Sequence, residues 1–260
     1  MDQHILIKKF SDIVGEVIEN GYCVSTIPGA TLGLLEMAIV RQVNEVYSEY
    51  GKVNNFPPKK FENIIQLEDY HLCALSELHS TCWYKSARTL PQNIVEGIVY
   101  PWVNSIVESR RFQVSDEDSQ GYGVVHFRIC RPDFNDVGPL HADSMFWDLG
   151  FGSTPADHTR IHVWIPVITE VGLNGLQVLP RSHKRHHNFR IIQTDRGERP
   201  SLLIDDEYDA PALLPLRAGE VVFFHDNLVH GGRIGGKKTR VSIEFTIEVY
   251  DGNSPTEVKL

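Results

Sequence analysis

Near Gly121 the apolar residues of this chain stop recurring at helical spacing and begin to alternate. Before that point Phe10, Ile13, Val14, Val17 and Ile18 mark one face of a first helix, which Asn20-Gly21 ends. Tyr22 to Ser25 reads as a short strand before the Pro28-Gly29 turn, and Leu35, Ile39, Val43, Val46 and Tyr50 mark a longer helix. Gly51 to Lys60 reads as loop and Asp69 to Ser80 as helical. Pro91 suits the first turn of a helix carrying Ile94, Ile98, Trp102 and Ile106, which Pro101 should kink. After Gly121 the period is two. Tyr122, Val124, His126, Arg128 and Cys130 alternate with Gly123, Val125, Phe127 and Ile129. The same holds for His162, Trp164 and Pro166 against Ile161, Val163, Ile165 and Val167. It holds again for Arg240, Ser242 and Thr246 against Val241, Ile243, Phe245, Ile247 and Val249. Each strand thus has an apolar face to cover, and the amphipathic helices are the available cover. The expectation is an α+β chain with a mainly β core. At 260 residues and 42% hydrophobic it should form one domain, 1–260, with helical support to about 110 and the core from about 111.

His141-Ala142-Asp143, a long gap, His230 and then Arg240 ten residues on form the pattern that carries chemistry. Residues i and i+2 of an extended segment share a side, so His141 and Asp143 can grip one ion together. With His230 they make two imidazoles and one carboxylate, the facial triad that leaves positions on a non-haem Fe(II) open for a cosubstrate and dioxygen. An H-x-D alone is weak evidence. The whole ordered set is strong, because each part has a separate task.

The surrounding motifs extend the match. They are Pro139-Leu140-His141-Ala142-Asp143, the strand His162-Val163-Trp164-Ile165-Pro166, the segment Asn174 to Lys184, and the run Ala218 to Phe224. His225 to Gly232 completes them, with Arg240 behind. From about Tyr122 to Tyr250 the chain resembles the Fe(II)/2-oxoglutarate-dependent oxygenases, and within them the phytanoyl-CoA dioxygenase-like group. The resemblance implies a double-stranded β-helix, a jelly-roll or cupin-like barrel, backed by the N-terminal helices. It implies that His141, Asp143 and His230 bind Fe(II) and that Arg240 pairs with the distal carboxylate of 2-oxoglutarate. Halogenases of the family lack the carboxylate ligand and seat a halide in its place, so Asp143 implies hydroxylation, with loss of carbon dioxide from 2-oxoglutarate to leave succinate. Desaturation and ring closure stay open. The family usually has glycine where Arg181 stands, which suggests a differently shaped site mouth.

Around these residues the sequence offers weaker candidates. Ser242 shares the face of Arg240 and can add a hydroxyl to the same carboxylate, and Trp164 can line the cosubstrate pocket; an ordinary serine and a core aromatic are the bland alternatives. His126 and Arg128 precede the metal pair on a strand and are candidate substrate contacts if they face inward. His225 is a decoy, better read as structural. Asp226 and Asn227 either orient the ligand loop or simply form its turn. The basic run Arg181 to Arg190 is either a solvated face or a rim that steers an acidic substrate. Asp148 to His158 has the composition of a lid. His71, His79 and Cys82 have no metal spacing.

Bulk properties narrow the classes. A formal charge of −9 and a pI near 5.7 argue against a nucleic-acid surface, which needs a dense basic footprint. Cys23, Cys73, Cys82 and Cys130 are widely spaced and suit reduced thiols. The start, Met1-Asp2-Gln3-His4, shows no signal-peptide pattern, and no run approaches the roughly 18 apolar residues of a membrane helix. A cytoplasmic enzyme acting on a small polar metabolite is expected, its oligomeric state open. The alternatives are a non-catalytic metal-binding barrel, which would have no need of Arg240, and an oxygenase acting on a carrier-tethered or protein substrate.

Overall fold

A computed structural model describes residues 8–54, 59–73, 79–80, 83–108, 110–117, 121–150, 158–194, 197–203 and 210–250. Helix α1 (Phe10–Asn20) buries Phe10, Ile13 and Val17, while Ile18 turns to solvent. Gly21 ends it at φ +89°, returning its N–H to Val17 O, a left-handed cap that glycine adopts without cost. Strand β1 (Tyr22–Thr26) follows. Helix α2 (Gly29–Asn54) runs four residues into the expected Gly51–Lys60 loop. The predicted helix from Asp69 begins within a 3-10 segment, Ile64–Leu72, and the chain is α-helical at 79–80, while 74–78 lie outside the described residues. Helix α3 covers residues 92–107, with a π-helical stretch, Val95–Val99, just before Pro101. Proline lacks an N–H, and the wider turn absorbs the misfit that was expected to kink the helix.

Two antiparallel sheets form the core. The larger has the order β1, β9 (Glu220–Phe224), β4 (His158–Ile168), β11 (Arg240–Tyr250), β2 (Phe112–Val114), with β3 (His126–Cys130) also on β11. The smaller has the order β10 (His230–Arg233), β5 (Gly175–Val178), β8 (Ala212–Leu213). A bridge from His141 to His230 extends its far edge. No ladder joins the two sheets among the described residues, so they face each other as in a jelly roll rather than closing into a continuous cylinder. A hairpin of β6 (Phe189–Thr194) and β7 (Gly197–Leu202) stands apart. The alternation expected from Tyr122 becomes a ladder only at His126.

Period-two patterning assigns the faces. Ile161, Val163, Ile165, Phe223, Val241, Ile243, Phe245 and Ile247 point outward into one cluster with Ile13, Leu35, Ile39, Val99 and Trp102 of the helices. The inner face of the large sheet carries Arg240, Ser242, Glu244, Thr246 and Glu248 on β11, paired across to Pro166, Trp164, His162 and Arg160 on β4. Trp164, Val222 and Phe224 close the sandwich against Leu176, Val178, Leu214 and Leu216 of the small sheet side. Helices therefore cover the outside, and the polar residues are directed into the interior.

Arg181 stands at φ +62°, ψ +7°. Glycine adopts such a left-handed backbone freely, and here an arginine bears its strain. That conformation costs an ordinary residue about 1–2 kcal/mol, against about 0.5–1 kcal/mol of added unfolded-state freedom for glycine. Arg181→Gly should leave stability unchanged or raise it by up to about 1.5 kcal/mol, and Arg181→Val should lower it, in urea unfolding. Destabilisation by glycine would show that the arginine side chain anchors the turn.

Candidate metal centre

His141 and His230 are brought together by the backbone. His141 N–H donates to His230 O at 3.0 Å and His230 N–H to His141 O at 2.8 Å. Each ring is then fixed by a carbonyl two residues before it, His141 Nδ1 on Pro139 O at 2.8 Å and His230 Nδ1 on Leu228 O at 3.0 Å. Those bonds place the proton on Nδ1 and leave both Nε2 lone pairs for a metal. Asp143 does not lie in extended chain, as the i, i+2 reading supposed. Its backbone is helical (φ −65°, ψ −29°) and opens α4 (Ser144–Asp148) without a side-chain capping bond. The carboxylate that would ordinarily cap the helix turns to the imidazoles instead. Asp143 Oδ1 is 3.5 Å from His141 Nε2, and Oδ2 is 3.9 Å from His230 Nε2. One ligand atom from each of the three residues lies within 4.8 Å of the others. Two neutral imidazoles and a carboxylate on one side of an ion suit a first-row metal such as Fe(II) and leave further positions open.

A fourth side chain, to which the sequence reading gave no role, reaches the same carboxylate. His162 Nδ1 lies 3.2 Å from Asp143 Oδ2, and its Nε2 contacts Asp226 Oδ1. The ring stacks on Phe224, centroids 5.2 Å apart. Burial opposes charge on His162, but Asp143 and Asp226 outweigh it and raise its pKa to about 9. Burial likewise opposes ionisation of Asp143, yet His162, His230 and His141 hold its carboxyl well below the usual range. For His230 burial dominates, Asp143 pulls the other way and His141 adds to the lowering, leaving the pKa about 4 and the ring neutral.

Toward the other end of β11, Arg240 is 3% exposed. Its Nη1 donates to Gly175 O at 2.6 Å and its Nη2 approaches Cys130 Sγ at 2.9 Å. Its Nε, and the Oγ of Ser242 on the same face, are buried without a hydrogen-bond partner among the described residues. Orphaned buried donors are costly, and these two would be satisfied by the carboxylate of a 2-oxoglutarate molecule. Gly232 makes the space, since a Cβ there would meet Arg240 Nη2 at 2.9 Å. Trp164 is a buried member of the apolar cluster between the sheets.

Arg128 and His126 do face inward, but both have partners. Arg128 Nε donates to Glu244 Oε2 at 2.6 Å and Nη2 lies 2.5 Å from Oε1, a two-pronged pair at a half-buried position. Burial raises the Glu244 carboxyl, and Arg128 outweighs it to bring the pKa down to about 2. His126 Nδ1 meets Thr89 Oγ1 at 3.1 Å. Deeper along β4, Arg160 meets Glu117 at 2.8 Å and Asp226 and Glu248 at 3.6 Å each. The acidic partners of these cations were invisible as such, because pairing across strands depends on register.

His225 stays out of the centre; its Nδ1 accepts Asn227 N–H at 3.0 Å. Asn227 ties the ligand loop by donating to His183 O and Arg185 O. In the basic run, His183 and His187 are buried on backbone carbonyls of Ile18 and Asn227, so part of it is structural. His79 is buried beside Asp136, which Arg131 grips. Residues 151–157 of the expected lid, and Cys82, lie outside the described residues. No helix among the described residues is long and apolar enough to cross a membrane.

The family described as phytanoyl-CoA dioxygenase (PhyH) matches residues 71–238. His141, Asp143 and His230 fall inside that range, and Arg240 lies just beyond it. No curated protein sequence matches. Among solved structures, the chain is similar to apo ThoJ, a non-heme monooxygenase, at 12% identity, covering 95% of this chain and 82% of that one with a TM-score of 0.52. It is similar to EvdO2 from Micromonospora carbonacea var. aurantiaca at 13% identity (99% and 98% covered, TM-score 0.49). It is similar also to the non-heme alpha ketoglutarate dependent carbocyclase SnoK from nogalamycin biosynthesis at 13% identity (94% and 87% covered, TM-score 0.47). At 12% identity the likeness to ThoJ is one of fold.

Proposed function

We propose that this chain, which belongs to the phytanoyl-CoA dioxygenase family, hydroxylates a small polar metabolite at a centre formed by His141, Asp143 and His230. Members of the family are non-haem oxygenases dependent on Fe(II) and 2-oxoglutarate, and the chain is an enzyme of that kind. Once bound, iron, 2-oxoglutarate and dioxygen supply the oxidation, one oxygen atom going to the substrate and the other to the succinate left after carbon dioxide departs. The observation that carries the site assignment is the convergence of three ligand atoms within 4.8 Å, with both imidazoles presenting Nε2. Arg240 and Ser242 take the distal carboxylate of 2-oxoglutarate, and Trp164 contributes an apolar wall beside it. The whole chain acts as one oxygenase unit, the helices stiffening the large sheet from outside.

The substrate reading rests on the inner face. Arg128, Glu244, His126, Arg160 and Glu248 lie on the large sheet's inner face, a row of charged and polar groups that suits a polar ligand better than a long acyl chain. A carboxylate-bearing metabolite can share the Arg128 guanidinium with Glu244, the partner that the sequence reading lacked. Oxygen uptake and 2-oxoglutarate turnover should rise with small polar acids and not with long-chain acyl thioesters. Arg128→Ala should lower kcat/KM for the substrate by about 10- to 100-fold, the cost of losing one charged contact, while 2-oxoglutarate consumption without substrate stays near wild type. Best turnover on an acyl thioester would overturn the substrate class and leave the metal chemistry standing.

A further inference from the structure

We infer that His162 is a positioning residue that holds one oxygen of Asp143 so that only the other is presented to the metal, an inference that rests on Asp143 being a ligand. The two oxygens of this carboxylate have different surroundings. Oδ1 is 3.5 Å from His141 Nε2. Oδ2 is 3.9 Å from His230 Nε2 and closer, at 3.2 Å, to His162 Nδ1, on a strand remote in sequence from the ligand. A carboxylate with both oxygens free can chelate and take up a position that the cosubstrate or dioxygen needs. With Oδ2 held against His162 Nδ1 in an ion pair, Oδ1 is the oxygen left to bind, and one position is spared.

For this the imidazole must not turn, and it is held on every side. Phe224 stacks on it at an interplanar angle of 23°. Thr246 Oγ1 lies 3.1 Å from Nδ1 with its own hydroxyl donated to Glu117 Oε1 at 2.9 Å, so it accepts the Nδ1–H alongside Asp143 Oδ2 and fixes the rotation of the ring. Asp226 meets Nε2 and is itself buried, with Arg160 Nε at 3.6 Å from the same oxygen. The backbone carbonyl of Asp226 accepts Ser144 N–H at 3.1 Å, fastening the residue next to Asp143. One acidic side chain thus orients the ring while its backbone orients the ligand's own segment. Partners of this kind typically contribute about 10- to 100-fold to metal affinity.

Anaerobic titration with Fe(II), and with Co(II) as a redox-silent probe whose visible band reports coordination, tests the inference on the whole chain. His162→Leu should weaken both metals by about 10- to 100-fold and change the Co(II) band, as the freed carboxylate rearranges. His162→Gln, which keeps an N–H donor, should restore most of the affinity and the band. If His162→Leu binds with wild-type affinity and band while Asp143→Ala loses the metal, the inference falls and the triad stands. Should Asp143→Ala itself keep full affinity, the triad falls and the inference with it. Where His162→Leu does not fold, Asp226→Asn decides: weaker binding with an altered band supports the inference, and an unchanged titration overturns it.

Discussion

Arg240→Ala is expected to raise the apparent KM for 2-oxoglutarate by about a hundredfold while iron binding is retained. Leaving a buried carboxylate without its cation costs on the order of 3 kcal/mol, and every 1.4 kcal/mol is a factor of about ten. The guanidinium bonds to Gly175 O and Cys130 Sγ rather than to a ligand side chain, so metal affinity should not follow it. Arg240→Lys should recover only part of the loss, because a point charge cannot reproduce a planar two-pronged contact. Gly232→Ala offers an independent arm, since its Cβ would press on Nη2 at 2.9 Å and should raise KM without removing the charge. Steady-state kinetics over a range of 2-oxoglutarate concentrations reads all three. An unchanged KM in Arg240→Ala would move the cosubstrate site elsewhere.

The second large effect concerns the metal. His141→Ala and His230→Ala should each abolish stoichiometric iron binding, a loss beyond the roughly 10- to 100-fold attached to a supporting residue. Both variants should still fold, because the two residues are joined through backbone N–H and carbonyl groups that alanine retains. Metal analysis after anaerobic loading, beside circular dichroism, separates ligand loss from unfolding. Full iron in both variants would remove the assignment. Asp143→Gly should likewise end hydroxylation, and an active hydroxylase after that change would mean the carboxylate is not required.

Much of this was legible in the chain itself. The change from a helical period to a period of two near Gly121 separated the supporting helices from the sheet core, because burial of one face imposes those spacings wherever the elements end up. His141, Asp143, His230 and Arg240 were readable because a metal and a dicarboxylate demand specific donor types in a fixed order. What tertiary structure alone decided is the pairing. Glu244 diagonal to Arg128, whose direct partner is Ser242, and Asp226 two residues beyond Phe224, the partner of His162, follow from register between strands far apart in sequence, and a single residue's slip would send the strand side chains to the other face. The same applies to the geometry of Asp143. Its carboxylate reaches the imidazoles from a helical turn rather than from extended chain, since the bridge between His141 and His230 and the bond from Ser144 N–H to Asp226 O override the local spacing. Donor identity is local chemistry and is written in the sequence; which partner each donor meets depends on how the two sheets close on one another, and no short stretch of chain contains that.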